Sequence, residues 1–206
     1  MPLRSGLEAI VILLYCRGSK NKLAEPIRGI TKLDKLLYLA VKETAIGLLL
    51  DKELEFEAYD YGPYSSQVYD AIETLKDAGL VAVGTEPCVT YDEVSDADLM
   101  DREVATEQES IPLKRTELQV YRLSESGMKA GSRLFELLTP EEREGICSIK
   151  KKFNAAPLKH LIEYVYKNYP ESTVKSKIRK TILGQSRFGS RPNMKPFIRE
   201  EEDFRM

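Results

Sequence analysis

The chain has no tryptophan, one histidine and three cysteines among its 206 residues, and each shortage narrows what it can do. With His160 as the sole imidazole, a histidine-rich metal site or a His-paired nucleophile would need unusual substitutes. Beside Leu158, Leu161 and Ile162, His160 reads as a helix-surface residue. Cys16, Cys88 and Cys147 are odd in number and widely spaced, which fits reduced intracellular thiols better than a disulfide framework or a zinc site. Long apolar runs are also missing. The strongest, Ile10–Cys16, is far too short to cross a bilayer, and no small-residue cleavage site follows it, so a cytoplasmic chain without signal peptide or membrane contact is expected. Phosphate-loop and dinucleotide glycine motifs are absent. The acids Asp92, Glu93, Asp96, Asp98 and Asp101 lack the twelve-residue calcium loop with its central glycine and terminal glutamate. The expectation is a non-enzyme with no catalytic residue, metal or cofactor.

What is present is a globular composition, 42% hydrophobic and 31% charged, with its charges sorted along the chain. The net charge of −2 hides this sorting. Residues 46–85 carry Lys52 and Lys76 against eight acids, and residues 86–111 carry Arg102 against nine. Residues 149–196 carry twelve lysines and arginines against Glu163 and Glu171. An acidic middle therefore precedes a basic C-terminal third.

Periodicity and capping residues set out the elements. Ser5-Gly-Leu-Glu8 has the form of a capping box opening a helix that is apolar nearly all round, and Gly18 is placed to end it. Residues 18–30 read as a loop. A second helix starts at Thr31, with Leu33, Leu36, Leu37, Ala40 and Val41 on one face. Residues 55–61 read as a short extended segment stopping at Gly62-Pro63. A third helix is capped by Ser65 or Ser66, buries Val68, Ile72 and Leu75, and closes at Gly79. Strands are expected at Leu80–Val83 and Glu117–Leu123, flanking an acidic loop over about 85–111. Ser124 then starts a helix, Thr139-Pro-Glu-Glu142 starts another, and Leu158, Leu161, Ile162, Val165 and Tyr169 mark a third apolar stripe. A last basic helix is predicted over about Thr173–Leu183, with Val174, Ile178 and Ile182 on one face, and a flexible tail follows from Gly184.

Three helices, a strand, a loop, a strand and a helix follow the order of a winged helix-turn-helix. Tyr64–Leu80, ending in Leu75-Lys-Asp-Ala-Gly-Leu80, resembles a recognition helix passing into the first wing strand. Tyr121-Arg-Leu-Ser-Glu-Ser-Gly127 resembles the sequence that closes the wing in MarR- and PadR-type regulators, with Ser124 where threonine is usual. Thr31–Leu39 and Tyr59-Asp-Tyr-Gly-Pro-Tyr-Ser65 are similar to the YwgA-like and, more distantly, the SocA-like (Panacea) antitoxin families. The resemblance covers roughly residues 5–135. It implies a mainly α (α+β) fold with a winged helix and a two-stranded wing over residues 1–137; the capping signals, apolar stripes and composition beyond it read as a helical extension over 138–183 and a flexible basic and mixed-charge tail over 184–206. The resemblance also implies a regulator, antitoxin or adaptor.

The recognition-helix surface would comprise Tyr64, Ser65, Ser66, Gln67, Tyr69, Asp70 and Glu73. With Asp77, its three carboxylates face Lys76 alone, a poor match to a polyanion. The stronger nucleic-acid candidates are Lys150, Lys151 and Lys152, then Lys175, Lys177, Arg179 and Lys180, then Arg187 and Arg191 in the tail. The same cations would equally serve as a solvated face or pair with the acidic middle. Tyr164, Tyr166 and Tyr169 could stack on bases, but on a helix such residues more often pack internally. The leading expectation is a DNA-associated transcriptional regulator that acts as a homodimer on duplex DNA. The alternative is an antitoxin-like or adaptor module that binds a protein partner and not DNA.

Overall fold

A computed structural model describes residues 5–88, 116–179 and 182. Among them the order is α1 (Gly6–Tyr15), β1 (Ile27–Arg28), α2 (Ile30–Glu43), α3 (Gly47–Leu54), β2 (Glu57–Tyr59), β3 (Gly62–Tyr64), α4 (Ser66–Asp77), β4 (Val81–Cys88), β5 (Thr116–Leu123), α5 (Glu125–Leu137), α6 (Pro140–Phe153), α7 (Leu158–Asn168) and a 3-10 turn, Pro170–Thr173. The protein is thus mainly helical with a small antiparallel sheet.

Local chemistry explains most of the boundaries. Ser5, Ser65, Ser124 and Thr139 each accept a backbone N–H of the first turn they cap, and Thr139 with Glu142 completes a capping box. Gly79, at φ 69°, ends α4: its N–H donates to Lys76 O, and Leu80 N–H donates to Leu75 O, which reverses the chain into β4. Strand β5 lies centrally, between β1 and β4. Its register with β4 runs from Val81 opposite Leu123 to Cys88 opposite Thr116, and Ile27 of β1 faces Tyr121.

Helix α1 is buried along Ala9–Leu14 and packs against α4, α5 and β5. Helix α2 is buried from Thr31 to Val41, polar residues included, between α1, α3, α6 and α7. One apolar cluster extends from Ala9 to Ile182, so the helices after residue 138 share their core with those before it.

Four expectations need correction. Residues 18–30 contain β1, a two-residue strand too short to leave a periodic pattern. A further helix, α3, and the β2–β3 hairpin stand between α2 and α4, where one extended segment was expected. Gly18 does not end α1 with a positive φ; Cys16 is the C-cap, and Gly18 sits tight against the Glu25 carboxylate. Thr173 closes a 3-10 turn and Val174 is 64% exposed, so no helix begins there; Ile178 and Ile182 do bury. The acidic loop beyond Cys88 and the tail from Gly184 lie outside the described residues.

Candidate interaction surfaces

The first surface is the outer side of α4. Val68, Ala71, Ile72 and Leu75 face the core, which leaves Ser66, Asp70, Glu73 and Asp77 exposed. Lys76 is occupied by Glu73 at 2.7 Å, and that bond holds its ammonium above the ordinary lysine range. Ser65 does not belong to the surface. It is fully buried, its hydroxyl donates to Leu54 O, and it accepts the N–H of Val68, because an N-cap on a helix packed against α3 points inward. Gln67 is half-buried and donates to Glu55 at 2.8 Å.

Three tyrosines continue this face. Tyr59, Tyr64 and Tyr69 form a ladder with ring centroids 5.2 and 5.1 Å apart. Tyr59, at its outer end, is 50% exposed. Desolvation, followed by the negative charge of Asp34, Asp70 and Glu57, raises the Tyr64 hydroxyl above its usual range and keeps it a neutral donor. The β2–β3 hairpin supplies Tyr59 and Tyr64, and its turn is fixed by Gly62 at φ 94° against the Tyr166 ring. Exposed Glu53, Glu55 and Glu57 lie on the adjoining α3–β2 segment, and the whole surface is acidic and aromatic.

The second surface is basic and lies at the C-terminal end of α6. Ser19 Oγ donates to Lys151 O at 2.7 Å and accepts the N–H of Ala155 at 3.0 Å, which fixes the loop after α1 to that helix end. Exposed Arg17, Lys20 and Lys22 therefore stand near exposed Lys151 and Lys152. Arg17 braces its own loop by donating to Asn21 O at 2.9 Å. Lys152 lies over the rings of Phe153 and Tyr164, at 4.8 and 4.2 Å. Sequence reading missed the contribution of Arg17, Lys20 and Lys22, because some 130 residues separate them from α6 and only packing unites them.

Several expected cations are not available there. Lys150 is fully buried; its Nζ donates to Leu14 O at 2.7 Å and Cys16 O at 3.0 Å, and desolvation pulls its pKa down to about 8. It is a cross-brace between α6 and the end of α1, not a phosphate ligand. Lys177 pairs with Asp60 at 2.7 Å. Lys175 is exposed and Arg179 half-buried, whereas Lys180, Arg187 and Arg191 lie outside the described residues. Tyr166 is buried and bonded to Ser176, with its hydroxyl pushed up to about 12 by burial, and Tyr169 donates to Glu43 at 2.9 Å. Neither is presented to a base.

On the sheet, Glu86 joins Arg28 of β1, at 2.9 Å, and Arg122 of β5, and its carboxyl is held below the ordinary range chiefly by the Arg28 bond. His160 is exposed on α7. Among the described residues, no group of three or more His, Cys, Asp or Glu side chains is placed to hold a metal ion, and no helix is long and apolar enough to cross a membrane. No family model matches the chain, and no curated protein or solved structure matches it.

Proposed function

We propose that the chain is a winged-helix module that binds a protein partner through α4, in the manner of an adaptor or antitoxin. The winged-helix reading is supported by the placement of β1 between α1 and α2, by the strand order β1–β5–β4, and by the direct passage of α4 into β4 and of β5 into α5. The observation that carries the partner reading is the composition of the exposed α4 face. It presents Asp70, Glu73 and Asp77, while its one lysine is bonded to Glu73. A helix face with three carboxylates and one lysine, itself bonded to Glu73, repels a phosphate backbone and attracts a basic protein surface. The tyrosine ladder beside it offers rigid, amphipathic contact area and faces for cations.

The test compares partners recovered from the native host by the wild-type chain and by a Tyr59→Ala, Asp70→Asn, Glu73→Gln variant. A protein that is lost with the variant, and that in purified form binds the wild type directly, supports the reading. Duplex DNA bound at physiological salt with no such protein overturns it.

A second reading, a DNA-associated regulator, is favoured by the convergence of Arg17, Lys20, Lys22, Lys151 and Lys152 that Ser19 produces. In that case DNA would meet the α6 end and not α4. Anisotropy titrations of labelled duplex over a range of salt would show a steep salt dependence that flattens when Lys20, Lys22 and Lys151 become alanine.

A further inference from the structure

Cys16 and Cys147 lie beneath the basic loop and serve neither surface. They are 131 residues apart in sequence, yet their sulfurs lie 2.6 Å apart. Cys16 is the C-cap of α1 and has no exposed surface. Cys147 is on α6 and half-buried, so it is the member that solvent reaches.

The surroundings divide the pair into unequal roles. Lys150, one turn along α6, places its ammonium on the carbonyls of Leu14 and Cys16. The backbone N–H of Arg17 also favours the ionised form of Cys147. The neighbouring Cys147 sulfur and then burial push the Cys16 thiol up, while the Cys16 sulfur, and more weakly the Arg17 N–H and the charges of Lys150 and Arg17, lower Cys147 against its own partial burial. Glu25 is the nearby acid, and it is turned to the Lys22 N–H. A partly exposed thiol of lowered pKa beside cations, with a second, buried thiol in contact behind it, is the arrangement of an attacking and a resolving cysteine.

We propose that Cys16 and Cys147 form a peroxide-oxidisable dithiol that closes to an intrachain disulfide. The Cys147 thiolate attacks one oxygen of hydrogen peroxide; the O–O bond breaks, hydroxide leaves, and Cys147 becomes a sulfenic acid. The Cys16 sulfur then attacks the Cys147 sulfur; the S–O bond breaks, and the departing hydroxide takes the Cys16 proton as water. Two thiols lose two electrons, and peroxide is reduced to two waters. The new bond joins the end of α1 to α6 at the root of the Arg17–Lys22 loop, and so ties down the segment that carries the basic surface.

The full chain, reduced and then treated with hydrogen peroxide, is alkylated and mapped by mass spectrometry. The expected product is one peptide pair linking Cys16 to Cys147, lighter by two hydrogens, with a melting temperature raised by roughly 5–10 °C and restored by dithiothreitol. Cys88→Ser should close at the unchanged rate. Cys16→Ser should stop at a sulfenic acid on Cys147 that dimedone traps. Should Cys16→Ser fail to fold, the wild-type map decides alone. Oxidation confined to Cys88, disulfides between chains, or Cys16 and Cys147 both still alkylated after peroxide would overturn the proposal.

Discussion

Lys177 is tied to Asp60 twice: its backbone N–H donates to Asp60 O at 2.9 Å, and its ammonium lies 2.7 Å from the Asp60 carboxylate. The basic C-terminal segment is thereby docked on the acidic β2–β3 hairpin, and one of its cations is spent inside the molecule. Both side chains retain contact with water, so the ionic part is worth little. A double-mutant cycle with Lys177→Met and Asp60→Asn should give a coupling of about 0.5–1 kcal/mol at low salt, shrinking at high salt. The backbone bond is untouched by either change. Amide exchange at Lys177 should stay slow in both variants, and duplex DNA affinity should not respond to Lys177→Met.

Lys150 and Lys151 are neighbours in sequence with opposite fates, which makes them a controlled pair. Lys150→Met removes the donor to Leu14 O and Cys16 O and leaves two buried carbonyls unsatisfied. It should cost about 2–3 kcal/mol in urea unfolding. Lys151 is exposed, and Lys151→Ala should stay within about 0.5 kcal/mol of wild type. Any effect on salt-dependent nucleic-acid binding should have the reverse order. A stable Lys150→Met protein with weakened DNA binding would show that Lys150 reaches the surface after all.

Why the sequence conveyed some of this and not the rest follows from where each residue's partner sits. The starts of α1, α4, α5 and α6 were legible because Ser5, Ser65, Ser124 and Thr139 bond to N–H groups three residues away. The inward side of α4 was legible because its apolar spacing is helical. Helix α2 was half legible. Its leucine stripe was plain, but nothing in the local pattern marks Lys32, Asp34 and Lys35 as buried, and they are. Lys32 reaches Asn154 O and Ala156 O, and Lys35 reaches Asp34 and Pro63 O, in elements up to 124 residues away. Polar residues that satisfy distant carbonyls leave no periodic trace. Lys150 misled for the same reason, and Ser19 hid the basic surface by linking two segments with no local relation. In YRLSESG, by contrast, the passage from β5 into α5 was legible through Ser124, whose hydroxyl accepts the Gly127 N–H.

Glu86 makes the sheet sensitive to acid. Bonded to Arg28 and, more weakly in its effect, to Arg122, its carboxyl has a lower pKa folded than unfolded. A depressed acid contributes stability above the unfolded carboxylate range, and that contribution disappears as pH falls through the folded value. Wild type should therefore exceed Glu86→Gln by about 1 kcal/mol or less at pH 7, given the exposure of the three side chains. The two proteins should converge once pH has fallen through the folded carboxyl's lowered range. A constant difference across that range would mean that Glu86 acts by packing and not by charge.

Gly127 and Gly79 are required for different reasons, and alanine separates them. A Cβ on Gly79 would meet nothing within 4 Å, so Gly79→Ala suffers only the left-handed backbone at φ 69°, about 1 kcal/mol. A Cβ on Gly127 would stand 2.0 Å from Leu80 O. That oxygen cannot yield easily, because it accepts the N–H of Ser124 at 3.0 Å while the Ser124 hydroxyl donates to Gly79 O at 2.6 Å. Helix α5 would have to lift from the start of β4, breaking both bonds and opening the packing of Gly131 on Tyr15 further along the same helix. Gly127→Ala should therefore cost about 3 kcal/mol or more by urea denaturation. If both alanines cost the same small amount, α5 is not seated on the Leu80 carbonyl, and the glycine of YRLSESG has some other cause.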